Sequence, residues 1–321
     1  MAQAPPEQPE ALTFRTGATL VRIDTQVLDR GRPLTGLTAA DFVVKDNGAP
    51  QQLIAFGQEA EPLQVLFVLD VSGSMGRLLR QMADVAQSAL ATLGPKDEVG
   101  VMLYSRRSRI TQELVPDRRA ALLALQEAPL ATGLGAGTSM NEALLAACAY
   151  LKNLPPFVGR RALVVLTDNG GLNEHAPDDA VLRELAAANA VLNAIVTRDA
   201  KPPGPPRPGV EMNPDYTFND VFLLARESGG EILRADRPER FREMLERIRL
   251  RYGLGYRAPD AAPGEWRRVE VNLTEEARRK YRRAEVRARP GYLVPGEPVP
   301  PDSGNQPSRG WREAAPGTAP R

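Results

Sequence analysis

A chain of 321 residues has room for one large or two small domains, and its 42% hydrophobic and 25% charged residues are ordinary for a globular protein. No apolar run approaches the roughly 20 residues of a membrane-spanning helix, and a formal net charge of +1 points to no partner by charge alone. One cysteine and one histidine exclude an internal disulfide, a cysteine metal site and a His-rich metal centre.

Residues 1–12 read as a disordered lead-in. Met1–Glu10 is polar and proline-rich with no visible signal peptide. It fits equally a native start and a remnant left by removal of a signal and addition of a start Met. Residues 13–61 read as a β segment. Val21, Ile23, Thr25 and Val27 alternate with Arg22, Asp24 and Gln26. Asp46-Asn47-Gly48 predicts a hairpin joining Phe42–Lys45 to Gln52–Phe56. So short an all-β piece needs a partner to bury a core.

From 62 to 250 strands and helices alternate. The run Val65–Leu69 predicts a buried strand ending in Asp70-Val71-Ser72-Gly73-Ser74. Apolar residues from Leu78 to Leu93 recur at helical spacing. Strands follow at Val99–Tyr104 and Ile110–Val115, the second close enough to pair antiparallel with the first, and then a helix over Asp117–Glu127. A glycine-rich loop, Thr132–Gly137, leads to Thr138 and a helix over Asn141–Leu151. Cys148 falls in that apolar run as a small core residue. A strand over Arg161–Thr167 ends at Asp168. Asp178–Ala188 reads as helix, Val191–Val196 as strand and Pro202–Pro208 as an irregular loop. Helix over Phe218–Glu227, a short strand Glu231–Leu233 and an amphipathic helix over Pro238–Arg249 close the unit.

Residues 251–293 turn β again, with strands at Tyr252–Arg257, Trp266–Leu273 and Glu285–Arg289, and residues 294–321 read as a Pro/Gly-rich disordered tail. The fold expected is α/β: a doubly wound, mostly parallel six-stranded sheet with helices on both faces. It is inserted into a small β-sandwich formed by the N- and C-terminal segments.

Ligands bind beyond the carboxyl ends of strands in such sheets. Asp70, Ser72, Ser74, Thr138 and Asp168 all fall there, and all are hard oxygen donors of the kind a small cation takes. For Ser72 and Ser74 the alternative is a polar turn capping a helix. Asp70-Val71-Ser72-Gly73-Ser74, Thr138 within Gly137-Thr138-Ser139 and Asp168 after Leu166-Thr167 resemble the metal-ion-dependent adhesion site of von Willebrand factor A domains. The flanks, Leu37–Phe42 with Asp46-Asn47-Gly48 and later Leu254-Gly255-Tyr256 with Arg289–Tyr292, resemble a bacterial group of related proteins.

The resemblance implies Mg²⁺ (or Mn²⁺ or Ca²⁺) at those five residues and no enzyme activity. It implies a metal-dependent adhesion or scaffold module that captures an Asp or Glu carboxylate of a protein partner. An extracytoplasmic place follows if a signal was removed, and a cytoplasmic one otherwise. The alternative is a cytoplasmic adaptor subunit acting beside an ATPase. The resemblance further implies a final helix, Pro238–Arg249, that shifts when the site engages a ligand, the alternative being a static packing helix. One departure is Asn169, where many relatives have Gly; it adds an oxygen donor.

Other chemistries fit less well. A hydrolase would need His175 to serve Ser72 or Ser74, and neither lies in a G-x-S-x-G elbow. Gly133–Gly137 does not follow a strand as a dinucleotide loop does. From Arg234 to Gly291 there are 17 Arg/Lys against 10 Asp/Glu, yet no interleaved aromatics support nucleic-acid binding.

Overall fold

The computed structural model describes residues 20–58, 61–204, 213 and 215–294. The lead-in, the start of the first predicted strand, most of the proline-rich loop and the C-terminal tail lie outside the described residues. In chain order the elements are β1 (Leu20–Asp29), β2 (Arg32–Pro33), β3 (Phe42–Asp46), β4 (Ala49–Gln51) and β5 (Leu53–Gly57). Then come β6 (Leu63–Asp70), α1 (Gly76–Leu90), β7 (Glu98–Tyr104), β8 (Ser108–Val115), α2 (Arg118–Glu127), α3 (Met140–Lys152), β9 (Arg160–Thr167) and β10 (Leu172–Glu174). They are followed by α4 (Asp178–Ala187), β11 (Ala190–Val196), β12 (Tyr216–Phe218), α5 (Val221–Glu227), β13 (Ile232–Arg234) and α6 (Arg240–Arg249). The chain closes with β14 (Tyr252–Arg257), β15 (Trp266–Leu273), α7 (Glu275–Lys280), β16 (Ala284–Ala288) and β17 (Gly291–Leu293).

The central sheet has six strands in the order β13-β11-β9-β6-β7-β8, all parallel except β8. Every residue of β6 is buried, because it pairs on both edges and is covered on both faces. Val65, Phe67 and Leu69 pack with α1, α2 and α6 on one face, and Leu66 and Val68 with α3, α4 and α5 on the other. That double burial is why the strand reads as an unbroken apolar run. Among the described residues no helix is long and apolar enough to cross a membrane.

The two ends of the chain share two further sheets. One has the order β16-β1-β14-β5 with β2 on β1, and the other β17-β15-β3-β4. Their facing side chains form one core, including Val21, Ile23, Val44, Tyr252, Leu254, Val269 and Tyr292. Asp46 is buried at its centre, accepting from the Tyr256 and Tyr292 hydroxyls at 2.9 Å each and from Arg267 Nε at 2.7 Å.

The structure corrects three local readings. The Asn47-Gly48 turn is present, with both residues at positive φ (44° and 82°), but the returning strand is Ala49–Gln51. Leu53–Gly57 leaves for the other sheet and pairs with β14. Phe218 ends a strand rather than opening a helix, which begins only at Val221, behind the Asp220 cap. Asn219 separates the two elements because its amide is tied back to the Gly170 carbonyl. The β10–β12 ribbon and α7 are too short for periodicity to reveal.

Candidate functional site

The strand order reverses between β9 and β6, and these two strands end at Thr167 and Asp70. Asp70 is fully buried. Its Oδ1 accepts the Ser72 N–H at 2.9 Å, and its Oδ2 accepts from Thr167 Oγ1 at 3.3 Å. Burial pushes the Asp70 carboxyl up to about 6, the Ser72 hydrogen bonds oppose this, and the negative charge of Asp168 adds to it. Tyr104, in register beside Asp70 on β7, is raised by burial first and by the Asp70 charge second.

Ser72 and Ser74 lie on the turn before α1. A 3₁₀ turn, Gly73–Met75, intervenes, and neither serine hydroxyl caps it or the helix. Their Oγ atoms lie 3.3 Å apart, with Ser74 exposed. The capping alternative is thereby set aside, and the two hydroxyls are not spent on backbone amides. Asp168, half-buried, accepts the Gly170 N–H on Oδ1 at 2.8 Å.

Thr138 arrives on the glycine-rich loop. Ser105, at the end of β7, holds that loop: its Oγ donates to the Gly135 carbonyl at 2.6 Å, and its own carbonyl accepts the Ser139 N–H at 2.9 Å. Gly171, at φ 117°, packs on Thr138 so closely that a Cβ there would run into the Thr138 carbonyl and lie 2.8 Å from its Cβ. The structure therefore brings Asp70, Ser72 and Ser74 together by hydrogen bonds and sets Asp168 within electrostatic reach of Asp70. It seats Thr138 against the loop that follows Asp168.

Asn169 is a correction. It takes positive φ (62°), a conformation Gly or Asn accepts. Its Oδ1 is not a spare donor to a cation, since it accepts the Val221 N–H at 2.8 Å while Nδ2 donates to the Lys201 carbonyl at 2.8 Å. Sequence reasoning also passed over Thr167, whose Oγ1 joins Asp70 to the Asn169 N–H, and Ser105 and Asn219, which tether the loops. A hydroxyl or amide at each strand end was the available signal. His175 is exposed, 3.6 Å from Asp215.

Among the described residues no cluster of three or more His, Cys, Asp or Glu could hold a metal. A cation here would rely on hydroxyls for most of its protein ligands. The donor set fits one: all are hard oxygens, and the burial that raises Asp70 is a cost that a neighbouring cation offsets.

An open α/β sheet with oxygen donors gathered at its switch point defines a class of strand-end binding domains. Residues 65–171 match the family described as von Willebrand factor type A domain. Among solved structures the chain is similar to the conserved hypothetical protein BatB of Bacteroides thetaiotaomicron, at 18% identity over 58% of this chain and 97% of that one, with a TM-score of 0.42. An aerotolerance-related membrane protein of Bacteroides fragilis gives 19% identity, 58% and 98% coverage and a TM-score of 0.41. A von Willebrand factor type A protein of Catenulispora acidiphila gives 14%, 89% and 77%, and 0.43. At these scores none carries a functional argument. No curated protein matches the chain.

Proposed function

We propose that this domain binds a protein partner by capturing an Asp or Glu carboxylate of that partner on one divalent cation. Mg²⁺ is the first choice, held by Asp70, Ser72, Ser74, Thr138 and Asp168. The observation that carries the reading is the pair of serine hydroxyls, close together and capping nothing, on the turn that follows a buried carboxylate. When bound, the cation supplies an electrophilic centre whose charge three neutral hydroxyls leave undercompensated.

The protein's own residues do the rest. Asp70 anchors the site from the rigid central strand, and Thr167 and the Ser72 N–H orient its carboxylate. Ser105 and Gly171 set the depth of Thr138, while Asn169 fixes the backbone after Asp168. In this reading the chemistry is recognition, with no group transferred.

The test is a thermal-shift titration on protein stripped of metal. A cation that binds only the folded state raises Tm with concentration. A pull-down with Mg²⁺ against chelator then reads the partner. No shift with millimolar Mg²⁺, Mn²⁺ or Ca²⁺ sinks the reading.

A further inference from the structure

The sandwich meets the α/β unit at the opposite end of the central sheet from Asp70 and Asp168, where β9 begins at Arg160. Ionisable side chains crowd this junction. Arg251, fully buried, is paired with Asp24. Arg22 is paired with Glu61 at 2.6 Å, and Arg160 Nε lies 3.6 Å from the same carboxylate. Arg161, Arg247 and Arg249 face Glu98, Glu231 and Asp97. Arg289, just past β16, has no carboxylate within ion-pair distance among the described residues.

Seven guanidinium groups therefore meet five carboxylates among the described residues of the junction. Widening the count outward adds the two signs equally: Arg237 and Arg240 with Asp236 and Glu243, Arg226 with Glu227, and Arg287 with Glu285. Hydrogen bonds do not remove the excess. Arg160 spends its Nη groups on the carbonyls of Gln58, Ile248, Arg249 and Arg251. Arg289 Nη2 donates to the Arg22 carbonyl at 2.7 Å. A carbonyl satisfies the N–H and leaves the charge uncompensated.

Arg289 is the least compensated of the set. Part of the residue reaches the surface, but its Nε is sealed from solvent and has no hydrogen-bond partner among the described residues. Burial pulls its guanidinium down to about 10. Arg289 lines a cavity of about 20 Å³ together with Arg22, Asp24, Arg160 and Arg161. That is room for one particle about the size of a water molecule, too little for a carboxylate, phosphate or sulfate. A water there would accept the Nε N–H but supply no charge, and a buried charge without a counter-ion costs far more than a buried dipole.

We infer that this cavity binds one monoatomic anion, chloride, as the counter-ion of Arg289. The anion would tie the sandwich to the base of the α/β unit, since Arg22 belongs to β1 and Arg160 and Arg161 to β9. No residue of the strand-end set takes part.

The experiment is a thermal-shift titration of the full chain in EDTA, which keeps divalent cations out of the readout. NaCl replaces sodium gluconate at constant ionic strength, because gluconate is too large for the cavity. Chloride should raise Tm saturably, by about 3 °C or more, and bromide should act alike. Arg289→Gln should abolish the response, whereas Arg287→Gln, on the neighbouring strand β16, should keep it. A Tm indifferent to chloride, or a response that survives in Arg289→Gln, overturns the inference. Crystals of the unaltered chain grown in NaBr give a second readout that stands even if Arg289→Gln fails to fold. An anomalous bromide peak beside Arg289 Nε is expected, and a cavity holding only water overturns the assignment.

Discussion

Asp70 is where burial and charge conflict most directly. Its carboxyl is fully buried beside Asp168, and hydrogen bonds from Ser72 and Thr167 only partly offset the cost. Ser74, by contrast, is exposed, and among the described residues its hydroxyl has a hydrogen-bond partner only in Ser72. Ser74→Ala should therefore change metal-free stability by less than about 0.5 kcal/mol. It should nevertheless shrink the Mg²⁺-induced rise in Tm, and thermal melts with and without Mg²⁺ would settle whether Ser74 is a ligand. Cys148 lies in the core of the α3 face, and burial pushes its thiol up to about 12. The thiolate is the reactive species. Native protein at pH 8 should thus resist an aromatic disulfide reagent for hours and react at once in denaturant. Rapid labelling of the native chain would show that α3 opens.

At the element scale, loops are held by groups that look incidental in the sequence. Gly171 sits at positive φ with the Thr138 backbone against it. Gly171→Ala should cost about 2 kcal/mol or more through strain and clash, and should weaken the Mg²⁺ response by displacing Thr138. A circular-dichroism melt with and without Mg²⁺ would register both effects. The last helix shows the same dependence. Arg160, on β9, is buried and donates to the Ile248, Arg249 and Arg251 carbonyls at 2.9, 3.1 and 3.0 Å. It thereby gathers carbonyls at and just beyond the C-terminus of α6, where intrahelical partners run out. The helix is further tied by the Arg247–Glu231 pair at 2.6 Å and by Arg249 to Asp97. Arg160→Met should destabilise by about 3 kcal/mol, leaving those carbonyls and the partly buried Glu61 with fewer partners. A lower urea midpoint at unchanged slope is the expected signature, and an unchanged midpoint would mean the cap is dispensable.

Across the whole molecule, the two ends of the chain depend on each other. β14 is flanked by β1 on one edge and β5 on the other, and β15 pairs with β3. Arg251, fully buried, bonds Asp24 of β1 and the Gly229 carbonyl at 2.6 Å, joining the sandwich to the α/β unit. Removing residues 1–60 would strip both edges of β14 and leave Tyr252, Leu254 and Tyr256 uncovered. That truncation should aggregate, and size-exclusion chromatography would show it. A monomeric, fully folded product would mean the C-terminal strands stand without β1 and β5.

The sequence by itself determined the alternation of strands and helices, because strand and helix periods are local. It also determined the strand ends at Asp70 and Asp168, because a doubly buried strand must be apolar until the chain leaves the sheet. Only the tertiary structure decided the rest. Gln52–Phe56 reads as a hairpin arm, yet most of it falls in β5, whose partner, β14, lies about two hundred residues away along the chain, and period-2 alternation does not say which sheet a strand joins. Asn169 reads as a spare oxygen donor, yet its amide is used on backbone groups of Val221 and Lys201 that are remote in sequence. The two serines could equally have capped a helix. Their freedom depends on an intervening 3₁₀ turn, and that is a matter of how the chain leaves β6 and enters α1, not of composition.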